Sequence, residues 1–283
     1  MDAFEQCRPL LFSIAYRMLG SAREAEDMVQ EAYLRGQAAD KVIHSPKAYF
    51  STIVTRLCLD YLKSAQSRRE TYIGPWLPEP FITADTTLPE PMKRVEDLDS
   101  ISMAFLVLLE HLTPAERAVF LLREVFDYDY SEIATMLDKD EAACRQLFSR
   151  ARKHIHDNRP RYKSSTEEHA ALFFQFIQAC QAGDLDGLTQ LLAEDAVAYS
   201  DGGGKVQAAT RPVYGRERVA KLMVGISKHT PQRAAYEVQI VNSEPGLIIR
   251  IDDHINAVML IETGDSYIRN IRIIRNPDKF SHL

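Results

Sequence analysis

The side chains best suited to chemistry lie between residues 139 and 163. Cys144, Leu147, Phe148, Ala151 and Ile155 recur at three- and four-residue spacing, so a helix over 141–156 buries that side and displays Arg145, Gln146, Ser149, Arg152 and Lys153 on the other. Guanidinium, amide, hydroxyl and ammonium groups are the donors and acceptors that meet base edges and phosphates. Lys139, Arg145, Arg150, Arg152, Lys153, Arg159, Arg161 and Lys163 stand against only Asp140, Glu141 and Asp157, so the segment is strongly basic. Upstream, Ser131–Leu137 reads as a short helix and Asp138-Lys139-Asp140 as a turn, which together make a helix-turn-helix pattern. Asp138 stands where such turns often carry glycine, and Asp tolerates the left-handed conformation. A solvated basic helix is the plain alternative.

A second basic cluster, Arg56, Lys63, Arg68 and Arg69, is interleaved with Tyr49, Phe50, Tyr61 and Tyr72. Aromatics beside cations suit unstacked bases and single strands, although the same aromatics also suit a core. Glu24, Glu26, Asp27, Gln30 and Glu31 form an acidic helix face that repels DNA and is expected to meet a protein. Trp76, the only tryptophan, sits in the stiff segment Gly74–Pro80 and is suited to docking in a groove; an incidental aromatic in a spacer is the alternative. Tyr199, Asp201, His229, Asp252, Asp253 and His254 are available for acid/base work but share no catalytic spacing.

These groups need elements to hold them. Leu10, Leu11, Ile14, Ala15, Met18 and Leu19 predict a first helix that Gly20 ends; Ser21 with Glu24 has capping-box spacing for a second, and Pro46 opens a third. Five prolines between Glu70 and Asp99 predict an extended linker. Thr113-Pro114-Ala115-Glu116 opens a helix through Arg123. After Lys163–Thr166, helices from His169 to Leu192 break at residues 182–186, and the remainder alternates as strands do, notably 238–241, 246–251, 257–262 and 267–274. Helices followed by a curved antiparallel sheet make this last unit α+β. The expected organisation is an all-α unit at 1–70, a linker at 71–99, a second all-α unit at 100–162 and the α+β unit at 165–283.

The 283 residues are 46% hydrophobic and 26% charged, with a formal net charge of -6, which excludes disorder. No apolar run is long enough to span a bilayer, and the acidic N-terminus lacks a secretory pattern, so a cytoplasmic location is expected. Four scattered cysteines, Cys7, Cys58, Cys144 and Cys180, read as buried thiols without metal, and no cofactor is expected. Net acidity argues against a nucleic-acid partner only until it is read by segment: the acids concentrate on the 24–31 helix, in the linker and across the third unit.

Ala25-Glu26-Asp27-Met28-Val29-Gln30-Glu31-Ala32-Tyr33-Leu34-Arg35 resembles the region 2 helix of extracytoplasmic-function sigma factors, which binds the β′ clamp of bacterial RNA polymerase. Leu112–Arg117 through Arg145–Lys153 resembles their region 4, which reads the −35 promoter element and meets the β flap. Residues from about 165 resemble the SnoaL-like, NTF2-like cone domain fused to one group of these factors. Trp76-Leu77-Pro78-Glu79-Pro80, Asp201-Gly202-Gly203-Gly204-Lys205 and Asn276-Pro277-Asp278-Lys279-Phe280 match signatures of that group. The resemblance implies an alternative sigma subunit and no enzyme, with core RNA polymerase and promoter DNA as partners. It assigns polymerase docking to Glu24, Asp27, Gln30 and Glu31. It assigns the −10 element to Arg56, Asp60, Lys63, Arg68 and Arg69, and the −35 element to Arg145, Gln146, Ser149, Arg150 and Lys153. Regulation falls to Trp76, Leu77, Pro78, the Asp201–Lys205 loop and Asn276–Lys279, through contacts within the chain. A glycine-rich loop permits close backbone approach, so the linker and terminal segment are expected to dock beside it; a simple hairpin turn and a disordered tail are the alternative. SnoaL-like cones also include cyclases and isomerases, so an enzyme or a ligand sensor is the rival reading of the third unit.

Overall fold

The computed structural model describes residues 2–38, 43–70, 72–83, 101–158 and 165–283, without the side chains of 2 and 65–70. Two compact units divide the chain: residues 1–71 with 85–159, and residues 72–84 with 160–281. Linker residues 84–99 and the basic Arg159, Arg161 and Lys163 lie outside the described residues, as do the side chains of Arg68 and Arg69.

The first unit is helical. Helix α1 (Asp2–Leu19) stops where Gly20 takes a left-handed φ of 66°, and α2 (Ala22–Gln37) starts at once because Ser21 accepts from the Glu24 amide at 3.1 Å. The buried stripe of α2 is Ala22, Ala25, Val29 and Ala32, small residues that let it lie close to its neighbours. In α3 (Pro46–Glu70), Phe50, Val54, Cys58 and Leu62 recur every fourth position and are buried. Helix α4 spans Met103–Glu110, and α5 (Pro114–Phe120) opens with a reciprocal Thr113–Glu116 capping box. The helix expected through Arg123 changes at Leu121 into a π-helical turn, Leu121–Val125, in which the adjacent Leu121 and Leu122 are both buried. Helix α6 (Tyr130–Leu137) starts one residue before the expected Ser131, is capped by Asp129, and ends at Asp138 with φ 54° and ψ 52°, the left-handed turn conformation the sequence anticipates. Asp140 then accepts from the Ala143 amide at 2.7 Å and starts α7 (Glu141–Asn158).

Two arginines tie the halves of this unit together, each at the carbonyl end of a helix belonging to the other half. Arg117 of α5 donates to the Met18 carbonyl at 2.6 Å and pairs with Glu110 at 2.7 Å, almost wholly buried. Arg56 of α3 donates through Nε to the Met136 carbonyl at 2.9 Å and through a terminal nitrogen to the Thr135 carbonyl at 3.0 Å. The last carbonyls of a helix lack intrahelical donors and carry the negative end of its dipole, so a cation there satisfies both demands. Ser51 and Tyr128 add a buried hydroxyl contact at 2.8 Å.

In the second unit, α8 (Thr166–Ala182) and α9 (Leu185–Leu191) are separated by Gly183 with φ 67°. A six-stranded sheet follows, from β1 (Leu192–Asp201), β2 (Val213–Tyr214), β3 (Ala235–Val241), β4 (Glu244–Ile251), β5 (His254–Gly264) and β6 (Tyr267–Ile274). The order is β2-β1-β6-β5-β4-β3. The sheet is mixed, not antiparallel throughout: β1 runs parallel to β6, because the last strand of the meander returns beside the first. Helix α10 (Arg216–His229) lies in a stretch expected to be strand. Its Val219, Ala220, Met223 and Val224 have helical spacing, which Pro212 and Gly215 on its flank obscure. Phe173, Phe176, Leu188, Val219 and Met223 pack with Leu247, Ile249, Met259, Ile271 and Ile273 as one core, helices against one sheet face.

Arg117→Ala is expected to leave the Glu110 carboxylate and the Met18 carbonyl without their donor, costing about 3–5 kcal/mol, as for other broken buried pairs. Thermal unfolding followed by circular dichroism should show a melting temperature lower by on the order of 10 °C.

Candidate functional site

Linker residues 72–83 are docked on the second unit, around one carboxylate. In β1, Ala196 and Ala198 belong to the helix-facing core, so alternation turns Tyr199 and Asp201 to the opposite face of the sheet. Asp201 is fully buried. Its carboxylate accepts from the Tyr72 hydroxyl at 2.5 Å, from the Leu77 amide at 2.9 Å and from the Lys279 ammonium at 2.6 Å. The Asp201 carbonyl accepts the amides of Arg275 and Asn276 at 2.7 and 2.9 Å, which brings the terminal segment to the same place. Lys279 also donates to the Leu77 carbonyl and lies 4.2 Å from the centre of the Trp76 ring and 5.4 Å from that of Tyr72. Asn276 donates to the Tyr72 hydroxyl at 2.9 Å. Burial, reinforced by the Asp201 carboxylate, raises the Tyr72 phenol well above its ordinary range, so it stays a donor.

The glycines are required by this approach. A Cβ on Gly203, at φ 58°, would lie 2.7 Å from the Asn276 amide carbon and 3.0 Å from the Tyr72 hydroxyl; one on Gly204, at φ 72°, would lie 2.8 Å from Ile73. A Cβ on Gly202 would lie 2.7 Å from the Val206 carbonyl, and Lys205 pairs with Asp278 at the rim. Pro78 is buried, and Pro277 starts the 3-10 turn Pro277–Lys279 that aims the lysine inward. Trp76, Leu77, Pro78, Asp201–Lys205 and Asn276–Lys279 are thus one cluster.

Three partners of the cluster escaped the sequence. Tyr72, grouped with base-facing aromatics, binds Asp201 instead. Phe81 exchanges two hydrogen bonds with Asn242, its amide donating to Oδ1 at 3.0 Å and its carbonyl accepting the Asn242 amide at 2.8 Å. The Thr83 amide donates to the Ile240 carbonyl at 2.9 Å, so the linker adds a short bridge to the edge of β3. Asn242-Ser243, Asp252-Asp253 and Asp265-Ser266 are two-residue hairpin loops with φ of 51–64°. Nothing in the sequence distinguishes Asn242 from the other two pairs as a linker contact.

In the helical unit, Asp27 and Gln30 are exposed on α2, Glu24 is half-buried beside the cap, and Glu31 pairs with Arg35 at 2.8 Å. Gln146, Ser149, Arg150 and Lys153 are exposed on α7. Arg145 is held by Glu141 at 2.7 Å and lies 4.9 Å from the Tyr130 ring centre, so its orientation is preset. Arg56 is engaged with α6 as described, while Asp60 and Lys63 form an exposed pair at 3.1 Å. Phe50 is core. Cys58 and Cys144 are buried as expected, whereas Cys7 and Cys180 are only half-buried.

The acid/base candidates are scattered. Asp252 and Asp253 form a hairpin tip, His229 Nδ1 donates to the Gly225 carbonyl at the exposed end of α10, and Asp201 is occupied by the linker. The apolar pocket bounded by Ile177, Cys180, Met223, Ile226, Tyr236 and Leu247 contains none of the six among its lining residues.

Asp201→Asn is expected to remove the carboxylate that pairs with the buried Lys279 ammonium and to cost about 3–5 kcal/mol. Limited proteolysis of the full chain should then cut within residues 72–83 at least 10-fold faster, a protection that Lys279→Met alone should also weaken.

Residues 3–68 match the family described as Sigma-70 region 2, and residues 102–155 match Sigma-70, region 4. The chain is 37% identical to the ECF RNA polymerase sigma factor SigJ of Mycobacterium tuberculosis, over 99% of this chain and 93% of that one. It is 33% identical to the probable ECF RNA polymerase sigma factor SigI of the same organism, over 99% and 94%. The crystal structure of the M. tuberculosis SigJ superposes with a TM-score of 0.78 at 35% identity, covering 99% of this chain and 97% of that one. With both helical sigma regions in order and the α+β cone behind them, this chain belongs to the extracytoplasmic-function family of RNA polymerase sigma factors.

Proposed function

We propose that α2 presents Glu24, Asp27, Gln30 and Glu31 to the β′ clamp of core RNA polymerase, that the residue 100–162 unit meets the β flap, and that the two helical halves engage promoter DNA from the cytoplasm. Arg145, Gln146, Ser149, Arg150 and Lys153 read the −35 element from α7, whose exposed polar face and preset Arg145 suit the major groove. Arg56, Asp60, Lys63, Arg68 and Arg69 serve the −10 element. The acidic face of α2 keeps its surface away from phosphates and for protein.

The third unit controls this activity by holding the connector between the two DNA-reading halves, and the observation that carries the reading is the buried Asp201–Lys279 pair closed on the Leu77 backbone. A second contact supports it. The −35 and −10 elements are roughly 25 base pairs apart, about 85 Å of duplex at ~3.4 Å per base pair, whereas the two helical halves are packed on each other through Arg56 and Arg117. Straddling a promoter therefore requires those contacts to open. Because Arg56 caps α6 in the packed form, its guanidinium serves either the α6 carbonyls or promoter phosphate, and the two states compete. The packed unit is the resting form, and the grip on residues 72–83 sets how readily it opens.

Asp27→Lys is expected to weaken core polymerase binding at least 10-fold. Arg145→Ala should weaken −35 recognition by about 1–3 kcal/mol. Both are read by transcription in vitro from the chain's own promoters, recovered by sequencing DNA bound to the tagged protein; unchanged transcription from both variants overturns the assignment. Removing residues from 276 onward, or everything after 165, should change promoter-directed transcription, and equal activity in all three proteins contradicts regulation.

A further inference from the structure

The acids expected throughout the third unit are absent from one part of it. From residue 205 to residue 233 the charged side chains are Lys205, Arg211, Arg216, Arg218, Lys221, Lys228 and Arg233, with Glu217 the single acid among them, in a chain whose net charge is -6. Lys205 is paired with Asp278 and Arg233 with Asp252. Arg211, Arg216, Arg218, Lys221 and Lys228 are exposed and form no ion pair among the described residues. At 100° per residue, Arg218, Lys221, Gly225 and Lys228 fall on one outward strip of α10, opposite the buried Val219, Ala220, Met223 and Val224. The strip is about 15 Å long at ~1.5 Å per residue. Gly225 leaves its middle open, since a Cβ there would meet nothing within 4 Å.

Only part of this charge stabilises the helix: Lys228 lies in the last turn, where the dipole favours a cation, and Glu217 lies in the first turn, four residues before Lys221. Arg216 and Arg218 occupy the first turn, where the positive end of the dipole disfavours cations, and Arg218 and Lys221 are like charges three residues apart. The N-cap is Gly215, with φ 88° and no side-chain cap, whereas α5, α6 and α8 each open with a capping box that places a Glu at the third position. A solvated face chosen for stability or solubility mixes signs along the helix. A predominantly cationic strip, begun by Arg216 and Arg218 against the helix dipole, points to an external polyanion. Between duplex DNA and an acidic protein surface, the strip favours DNA: its outward side chains are long cations without an aromatic or aliphatic anchor among them, and protein interfaces draw their affinity from such anchors.

We propose that the outward face of α10, with Arg218, Lys221 and Lys228 at its centre, is a sequence-independent binding surface for the phosphate backbone of duplex DNA. Through it the third unit contributes affinity for DNA in addition to the helix-turn-helix. The inference rests on the sigma-factor reading only in that DNA is the polyanion such a chain meets.

The test uses the full chain without polymerase, comparing the unaltered protein with R218Q/K221Q/K228Q, each checked for its fold by circular dichroism. Affinity for a duplex of about 30 base pairs lacking any promoter is measured between roughly 0.05 and 0.3 M salt. The slope of log affinity against log salt should become shallower by about 2–3, near 0.9 for each phosphate that the variant no longer neutralises, with at least a 10-fold drop in affinity at the lowest salt. An unchanged slope and affinity overturns the proposal. So does an unaltered chain that binds no duplex under these conditions, and so does an effect confined to core polymerase binding, which assigns the face to protein. Promoter-directed transcription by the unaltered chain, run alongside, shows separately whether the sigma reading itself stands.

Discussion

A carboxylate without access to water must be neutralised and fully hydrogen-bonded, and in this protein that demand is met by three donors from two segments far from it in sequence, the linker and the terminal turn. Asp201 draws the hydroxyl of Tyr72, the amide of Leu77 and the ammonium of Lys279 to one point. Each partner acts as a constraint on its own segment. Lys279 reaches the carboxylate because the Pro277–Lys279 turn follows directly on β6, and the linker lies flat because Gly203 and Gly204 leave room for Asn276, Tyr72 and Ile73. An ion pair this deeply buried contributes little net stability over an apolar substitute. Two of the three donors, Tyr72 and Leu77, sit on the linker, so meeting the carboxylate with both fixes its placement there.

The helical unit obeys the same logic with opposite signs. Helix ends leave carbonyls unpaired, and Arg117 and Arg56 supply donors from the opposite half. Burial lowers the Arg117 guanidinium to about 10, still cationic at neutral pH, so the Glu110 pair persists there. Arg117 is deep and structural, whereas Arg56 is exposed and replaceable by solvent. The packed arrangement thus has one buried tie and one exposed tie.

Much of this is legible in the sequence wherever local chemistry dictates local structure. Ser21, Thr113 and Asp138 behave as their types require, and the left-handed Asp138 makes the turn of the helix-turn-helix. The three signature segments form one cluster, but its chemistry is not readable from them. Nothing local marks Asp201 as buried: it lies between Ser200 and three glycines, and its place in β1, paired with β6, turns it toward the linker. The parallel pairing is hidden for the same reason, since it joins the first and last long strands across the intervening hairpins. Helix α10 is masked by Pro212 and Gly215, and its strip of cations with it, because a charge run shows its geometry only once the helical period is known.

The net charge of -6 illustrates the general point. Averaged over the chain, it suggests a protein that avoids nucleic acid; resolved onto elements, it separates into an acidic α2, a basic α7, a buried carboxylate already neutralised and a basic α10. Coulombic interactions fall off over about 10 Å at 0.1 M salt, so partners respond to these patches individually and not to their sum. Whole-chain acidity still acts at longer range and lower salt, where it opposes indiscriminate approach to DNA by the free subunit.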